Sequence, residues 1–163
     1  MNLARHLATE SIGDIDAIEI ERMAKAQPYL DAWDGYDLDK TLFRHDEWKG
    51  VLHFGEPILP MIEHLKQNLA SGKKVKIFTA RVSYDNPVIN RYVAQRIQDL
   101  LFKHVGVMLE VTCRKDMGMR ALYDDRAFHV YPNTGTILQP KDPNQKDRLN
   151  SFNRNLKAEL GQD

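Results

Sequence analysis

Hydrophobic residues recur at helical spacing near the start of the chain. Ile12, Ile15, Ile18 and Met23 fall close to a 3.6-residue period, and Pro28 ends the pattern. Ser11 and Asp14 form a plausible capping pair at its start. The pattern predicts an N-terminal helix outside the core, which could serve as a packing helix, a dimer contact or a lid.

Two further stretches have an apolar face typical of a helix. The first begins at Pro57 and ends before Gly72; its apolar residues are Ile58, Met61, Ile62, Leu65 and Leu69. The second begins at Asn86-Pro87 and is closed by Gly106; the residues expected to face inward are Ile89, Val93, Ile97, Leu100 and Leu101. Both are predicted to be helices that cover a sheet.

Short apolar runs between these helices predict strands. They cover residues 29–36, 75–78, 107–111, 122–123 and 128–131, with a helical turn at 117–120 and a turn at 132–135. Asp34 and Gly35 are unfavourable for a strand, so the bounds of the first run are the least defined. Alternating strands and helices favour a parallel sheet covered on both faces.

The predicted architecture is therefore an α/β, three-layer, Rossmann-like fold, with a central, mainly parallel sheet flanked by helices. The length of 163 residues suits one domain. We assign residues 1–30 to an N-terminal helical extension and 31–138 to the core. Residues 139–163 form a polar tail, either a surface helix or partly disordered, anchored by Phe152 and Leu156.

Composition narrows the function classes. The net charge is +0 with no block of like charge, which gives no indication of duplex nucleic acid as a partner. The single cysteine, Cys113, rules out an internal disulfide and suits a reducing compartment. No stretch approaches the roughly 20 apolar residues of a membrane span, so we expect a cytoplasmic protein.

Chemically suggestive residues follow the ends of four predicted strands. They are Asp37 and Asp39, then Thr79, then Lys115, then Asp124 and Asp125. Ligands of open parallel sheets bind beyond the carboxyl ends of the strands, so these groups should meet in one crevice. Two carboxylates and the Thr41 hydroxyl within five residues would suit Mg²⁺ and phosphate chemistry.

At this point the chain resembles the haloacid dehalogenase-like (HAD) hydrolase superfamily over about residues 32–135. Its motifs appear as Asp37-Leu38-Asp39-Lys40-Thr41, Val75-Lys76-Ile77-Phe78-Thr79, Arg114-Lys115-Asp116 and Asp124-Asp125. Three more segments look like a group of small uncharacterised hydrolases in that superfamily: Gly55-Glu56-Pro57-Ile58, Ile77-Phe78-Thr79-Ala80-Arg81 and Tyr123-Asp124-Asp125-Arg126 through Pro132-Asn133-Thr134-Gly135.

The resemblance implies a Mg²⁺-dependent phosphohydrolase, a phosphomonoesterase. Asp37 would attack phosphorus and form an aspartyl phosphate, needing no base because a carboxylate is ionised at pH 7. Asp39 would act as general acid and base. Thr79 would hold a phosphoryl oxygen, and Lys115 would offset negative charge. Mg²⁺ would be bound by Asp37, the backbone carbonyl of Asp39 and one acid of the Asp124 and Asp125 pair, with Asp124 favoured as the direct ligand and Asp125 behind it.

The resemblance also bears on the substrate. The intervals 42–78 and 80–114 leave no room for a cap domain, so the crevice would be open, or closed by the first helix or by another subunit of a homo-oligomer. The predicted substrate-binding residues are Thr41, Ala80, Arg81, Trp48 and Lys49, with Tyr84 nearby. An anchoring role for Trp48 in its loop is an equal alternative. The expected substrates are phosphorylated small molecules, nucleotides or phosphorylated nucleic-acid ends.

Other interpretations stay open. A catalytically inactive binding or regulatory domain would keep the crevice, and a phosphoacceptor domain like the response-regulator receivers is disfavoured by the order of its acidic residues. Many members of the superfamily have Gly where this chain has Lys40, which could displace the loop or alter the substrate entrance. His45, His53 and His129 are assigned no chemistry.

Overall fold

The structure is a computed structural model, and it describes residues 17–26, 31–130 and 132–138. The chain divides into two units, residues 1–31 and 32–163. In the first, helix α1 spans Ala17–Lys25, and Arg22 pairs with Glu19 on its surface. The predicted capping pair, Ile12, Ile15, Tyr131 and the tail 139–163 lie outside the described residues.

Among its described residues, the second unit contains four parallel strands and two long helices. The strands are β1, Trp33–Tyr36; β2, Lys74–Phe78; β3, Glu110–Thr112; and β4, Met119–Tyr123. Helix α2 spans Leu59–Ala70 between β1 and β2, and helix α3 spans Pro87–Val105 between β2 and β3. The strand order is β3-β2-β1-β4, and every pair is parallel, which confirms the predicted parallel α/β sheet.

The local signals at the two ends of α3 act as the sequence predicts, whereas α2 begins at Leu59 and not at the predicted Pro57. The Asn86 side chain caps α3 by accepting from the backbone N–H of Val88 at 2.9 Å. Gly106 ends the helix in the left-handed conformation, with φ of 81°. Along α3, Val93, Ile97 and Leu101 are buried, whereas Ile89 in the first turn is exposed, contrary to its predicted inward position.

One face of the sheet carries the apolar core. Tyr36 and Ile77 lie opposite each other on β1 and β2, and both pack into a cluster with side chains of α2 and α3, including Leu65 and Ile97. Both helices therefore cover the same face, as expected when two successive right-handed crossovers run in one direction along a sheet.

The opposite face is organised by polar contacts. The Trp33 indole N–H donates to Asp116 at 2.7 Å, and the Lys76 ammonium lies 4.8 Å from the Trp33 ring centre. The connection from β3 to β4 is residues 113–118, and no helix forms in it. Within the described part of the chain, the second helical layer of the predicted three-layer fold is therefore not seen.

Strand bounds differ from the prediction in several places, and β1 covers only residues 33–36 of the predicted run 29–36. The run 107–111 starts pairing only at Glu110, because Val107 and Met108 remain exposed in the loop after α3. The predicted turn 117–120 gives way to β4, which already includes Met119 and Arg120. The run 128–131 forms a single bridge from Val130 to Ile137, not a strand, among the residues described.

The weak strand signal of β1 is overcome by its central place in the sheet. Asp34 is buried, and its carboxylate accepts from Arg120 at 2.7 Å, which compensates the charge. A Cβ at Gly35 would lie 3.1 Å from both Leu122 and the Trp33 ring, so the missing side chain permits close packing. Strand β1 thereby delivers Asp37 to the carboxyl edge.

Candidate functional site

The carboxyl edge of the sheet brings three strand ends together. The Asp37 N–H donates to the Tyr123 carbonyl at 2.9 Å, which continues the pairing of β1 with β4. The Thr79 N–H donates to the Thr112 carbonyl at 2.9 Å, beyond the end of β2. Asp37, Thr79 and Asp124 therefore leave neighbouring strands at the same edge.

The segment after β1 is a tight loop held by its own backbone. The N–H groups of Leu42 and Phe43 donate to the Leu38 carbonyl at 3.0 and 2.9 Å, and the N–H of Lys40 donates to the Phe43 carbonyl at 2.7 Å. Leu38, Leu42 and Phe43 are buried in the core. Lys40 has a φ of 67°, in the left-handed region that favours glycine.

Three carboxylates form a group suited to a metal ion. Oxygen atoms of Asp37, Asp124 and Asp125 all lie within 4.8 Å of one another. Mg²⁺ prefers oxygen ligands at about 2.1 Å in octahedral geometry, so ligands on one ion lie up to about 4.2 Å apart. The donor set fits a hard divalent cation after small side-chain movements. The Asp39 carboxylate is not part of this group.

Burial, together with the neighbouring carboxylates, changes the acidity of Asp37. Burial raises the pKa of Asp37 to about 7, and the nearby charge of Asp124 adds to the increase. Asp125 and Asp39 act in the same direction, while the backbone N–H of Leu38 opposes them. A pKa of about 7 leaves Asp37 only partly ionised at neutral pH without a cation, in contrast to the ionised carboxylate expected from the sequence.

Asp39 is held by a buried arginine. The Arg81 Nε and Nη2 atoms donate to the two Asp39 carboxylate oxygens at 2.7 and 2.8 Å. Arg81 is only 4% exposed, and its Nη1 donates to the carbonyls of Val51 and Gly50 at 2.7 and 3.3 Å. Four of the five guanidinium N–H groups are therefore used within the protein. Arg81, predicted to bind substrate, is occupied with Asp39 and the 50–51 backbone.

Aromatic rings surround the same guanidinium. The Arg81 Cζ atom lies 5.0 Å from the ring centres of Trp48 and Phe54, at cation–π distance. His45 stacks on Trp48 with ring centres 6.1 Å apart. Trp48 nevertheless remains 58% exposed, so part of the indole faces solvent beside the cavity.

Two threonine hydroxyls have defined partners. The Thr79 Oγ1 accepts from the Arg81 N–H at 3.2 Å, capping the short 3-10 turn Ala80–Val82, and its own proton stays available to donate. The Thr41 Oγ1 accepts from the Asp125 N–H at 3.2 Å. Thr41 thus joins the loop after β1 to the segment that carries Asp124 and Asp125.

These groups meet around a cavity of about 510 Å³. Its lining includes most of the predicted site: Asp37, Asp39, Thr79, Ala80, Arg81, Trp48, Asp124 and Asp125. Thr41, Lys49 and Lys115 are not in the lining. Thr41 is buried behind it, and Lys49 pairs with Glu47 at 3.0 Å.

Lys115 is not among the residues that line the cavity at this edge. Strand β3 is at the far side of the sheet from β4, and β2 separates it from β1. Directly after Lys115, Asp116 contacts the Trp33 side chain, and Trp33 is the first residue of β1. The chain has therefore turned back towards the amino end of the sheet.

Several lining residues were not singled out from the sequence as part of the site. They are His45, Asp46, Glu47, Phe78 and Arg126, while Lys40 was considered only for a displaced loop or an altered substrate entrance. Their closeness in sequence to the motifs could have indicated them, since Lys40 lies within the first motif and Arg126 follows Asp124-Asp125. The ion pair between Arg81 and Asp39 joins residues 42 positions apart, and no local pattern indicates it.

No helix in the described part of the chain is long and apolar enough to cross a membrane. Comparison with protein-family models, with curated proteins and with solved structures finds no match to this chain.

Proposed function

We propose that this protein is a Mg²⁺-dependent phosphohydrolase of the haloacid dehalogenase-like type, acting on phosphomonoesters through an aspartyl phosphate. The observation that carries the proposal is the meeting of Asp37, Asp124 and Asp125 within metal-ligand distance beside Thr79 and Asp39 in one cavity. The strand order, with the nucleophile candidate on a central strand and the acidic pair on its neighbour, agrees with that interpretation.

The chemistry assigned to Asp37 begins with in-line attack of a carboxylate oxygen on phosphorus. The bond between phosphorus and the leaving oxygen breaks, and Asp37 becomes an acyl phosphate. A bound Mg²⁺ would hold Asp37 ionised and neutralise charge on the phosphoryl oxygens. The Thr79 hydroxyl, whose proton is available, would donate to one of those oxygens.

Proton transfer is assigned to Asp39. It would give a proton to the leaving alkoxide, then take one from the water that attacks phosphorus and releases Asp37. Arg81 uses one lone pair on each Asp39 oxygen, which leaves other lone pairs for a proton. The bidentate pair fixes the carboxylate plane, so Arg81 acts as a positioning residue for Asp39 in this scheme.

A second candidate is a non-catalytic domain that binds a phosphorylated ligand or a metal ion. The observation that favours it is the same ion pair, because both oxygens of the Asp39 carboxylate already accept from a buried guanidinium and are less accessible to a substrate. This domain would bind Mg²⁺ and phosphate without turnover.

Phosphate release from a panel of phosphorylated compounds tests the two candidates. The panel would include sugar phosphates, nucleotides and oligonucleotides with a terminal phosphate, each with Mg²⁺ and with chelator. The hydrolase predicts Mg²⁺-dependent release by the wild type and loss of at least about a thousandfold in Asp37→Asn. Asp99→Asn, on α3 outside the cavity, is the matched control and should keep full activity. Release that persists in Asp37→Asn would contradict the assigned nucleophile, and binding without release would favour the second candidate.

A further inference from the structure

Acidic residues outnumber basic residues in the lining of the cavity. The lining contains six carboxylates, namely Asp37, Asp39, Asp46, Glu47, Asp124 and Asp125, and three permanent cations, namely Lys40, Arg81 and Arg126. Arg81 is committed to Asp39 and to the backbone at 50–51. Lys40 and Arg126 are therefore the lining cations left to meet an anionic ligand.

Lys40 adopts a backbone conformation that a lysine rarely occupies. Its φ of 67° lies in the left-handed region, where a glycine would be unstrained. Such strain persists when the surroundings hold the chain in place, and it is concentrated at functional sites. The surroundings here are specific: Arg81 binds Asp39 on one side, and the Thr41 hydroxyl accepts from Asp125 on the other.

The Lys40 side chain is available for a ligand. The residue is exposed at the cavity, and its backbone N–H is satisfied by the Phe43 carbonyl. Among the described residues, no ion pair or side-chain hydrogen bond involves Lys40. An ammonium without a carboxylate partner, in the same cavity as Asp37, Asp124 and Asp125, can meet a doubly charged oxyanion without first breaking an ion pair.

Lys115, the cation predicted for this role, is poorly placed for it. It is not in the cavity lining, and the chain beyond it turns towards the amino end of β1. Arg126 also lines the cavity, but it follows the acidic pair, where its backbone N–H donates to Asp124 at 2.6 Å, and it lies outside the loop after β1. Lys40 lies within the loop that carries both Asp37 and Asp39.

We propose that Lys40 is the cation that binds the phosphoryl group of the ligand in this cavity, in place of Lys115. The inference rests on the proposed function for the identity of the ligand as a phosphoryl group. A lysine at this position also lowers the stability of the loop, because its left-handed backbone conformation is strained and a glycine would adopt it without strain.

Binding of inorganic phosphate in the presence of Mg²⁺, measured by calorimetry, tests the assignment without requiring turnover. We expect Lys40→Met to weaken phosphate binding about tenfold to hundredfold, as for a lost hydrogen bond between charged groups. Lys40→Arg should recover part of the affinity. Lys103→Met, an exposed lysine on α3 outside this cavity, is the matched control and should bind as the wild type does. The competing assignments are tested with Lys115→Met and Arg126→Met, which should each change the affinity less than Lys40→Met.

The backbone strain supplies an independent readout. Lys40→Gly should raise the Tm by about 2 to 4 °C while weakening phosphate binding as much as Lys40→Met does. Asn133→Gly is the matched control, since Asn133 also has a positive φ, of 60°, but lies in the turn at 132–135 outside the cavity. It should leave phosphate binding unchanged. A merely structural role for Lys40 would not weaken binding in the more stable variant.

The outcomes separate this inference from the hydrolase proposal. Phosphate binding that depends on Lys40, in a protein that hydrolyses nothing, would overturn the hydrolase and support the inference. Turnover with wild-type phosphate binding in Lys40→Met would overturn the inference alone. A loss of phosphate affinity in Lys115→Met or Arg126→Met that equals or exceeds the loss in Lys40→Met would also overturn the inference. A wild-type protein that neither binds phosphate nor releases it from a substrate would overturn both proposals.

Discussion

The guanidinium of Arg81 holds both carboxylate oxygens of Asp39, at 2.7 Å from Nε and 2.8 Å from Nη2. Arg81 is buried, and the aromatic rings of Trp48 and Phe54 lie 5.0 Å from its Cζ atom. The pair connects the loop after β1 to the turn after β2, so it fixes the two strand ends relative to each other. Its loss should affect both stability and the orientation of Asp39.

Removing one partner of this pair should be strongly destabilising. We expect Arg81→Met to lower the free energy of unfolding by about 2 to 3 kcal/mol, because Asp39 is left without its cation in a partly buried site. Arg81→Lys should recover little, since an ammonium cannot donate to both oxygens in the same plane. Urea denaturation of these variants gives the measurement.

A double-mutant cycle measures the interaction energy between Asp39 and Arg81 apart from their contacts with other residues. Combined with Asp39→Asn, Arg81→Met should destabilise less than the sum of the two single changes, by about 1 to 2 kcal/mol. Additive effects would show that the two side chains stabilise the fold independently.

The raised pKa of Asp37 predicts how the free energy of unfolding depends on pH. Because the pKa of Asp37 is raised to about 7 in the folded protein, the folded state binds more protons than the unfolded state between about pH 4 and pH 7. The stabilising contribution of the protonated form is therefore lost as pH rises through this window. In chelator, Asp37→Asn should be more stable than the wild type at pH 8, by at most about 4 kcal/mol, and should lose this advantage near pH 4.

Thermal unfolding of both proteins across this pH range measures the effect. The Asp99→Asn variant, outside the cavity, should follow the wild type at every pH. A constant difference between Asp37→Asn and the wild type would contradict the raised pKa.

Metal binding should depend on the acidic pair after β4. Asp124→Asn and Asp125→Asn each remove a carboxylate from the three-residue group, so Mg²⁺ affinity should fall by at least about tenfold. Mg²⁺ should raise the Tm of the wild type because it binds the folded state, and chelator should reverse the increase. Calorimetric titration with Mg²⁺ gives the affinities, and Asp85→Asn, an exposed residue outside both the group and the cavity lining, should match the wild type. Undiminished affinity in both pair variants would exclude this group as the Mg²⁺ site.

Thr41 should affect both stability and Mg²⁺ affinity through its hydrogen bond with the backbone N–H of Asp125. Thr41→Val removes the hydroxyl that accepts from the Asp125 N–H, which should lower the free energy of unfolding by about 1 kcal/mol. Mg²⁺ affinity should fall several-fold because the segment carrying Asp124 and Asp125 loses a support. Thr41→Ser keeps the acceptor and should retain the wild-type affinity, so equal losses in both variants would point to packing of the methyl group instead.

Local patterns predicted the framework because they act over short distances. Apolar spacing located α2 and α3, the Asn86 side chain and Gly106 define the two ends of α3, and the apolar run before Thr79 located β2. Alternation of these elements predicted the parallel sheet, and the carboxyl-edge rule placed Asp37, Thr79, Asp124 and Asp125 together.

The tertiary structure decided what depends on distant residues. Strand β1 forms despite Asp34 and Gly35 because Arg120 on β4 pairs with the carboxylate and the neighbouring side chains fill the space at the glycine. The bidentate contact of Arg81 with Asp39, the raised pKa of Asp37 and the place of Lys115 outside the cavity all follow from how strand ends meet. Ion pairing, burial and like-charge crowding are properties of three-dimensional proximity, and the spacing of residues along the chain does not specify them.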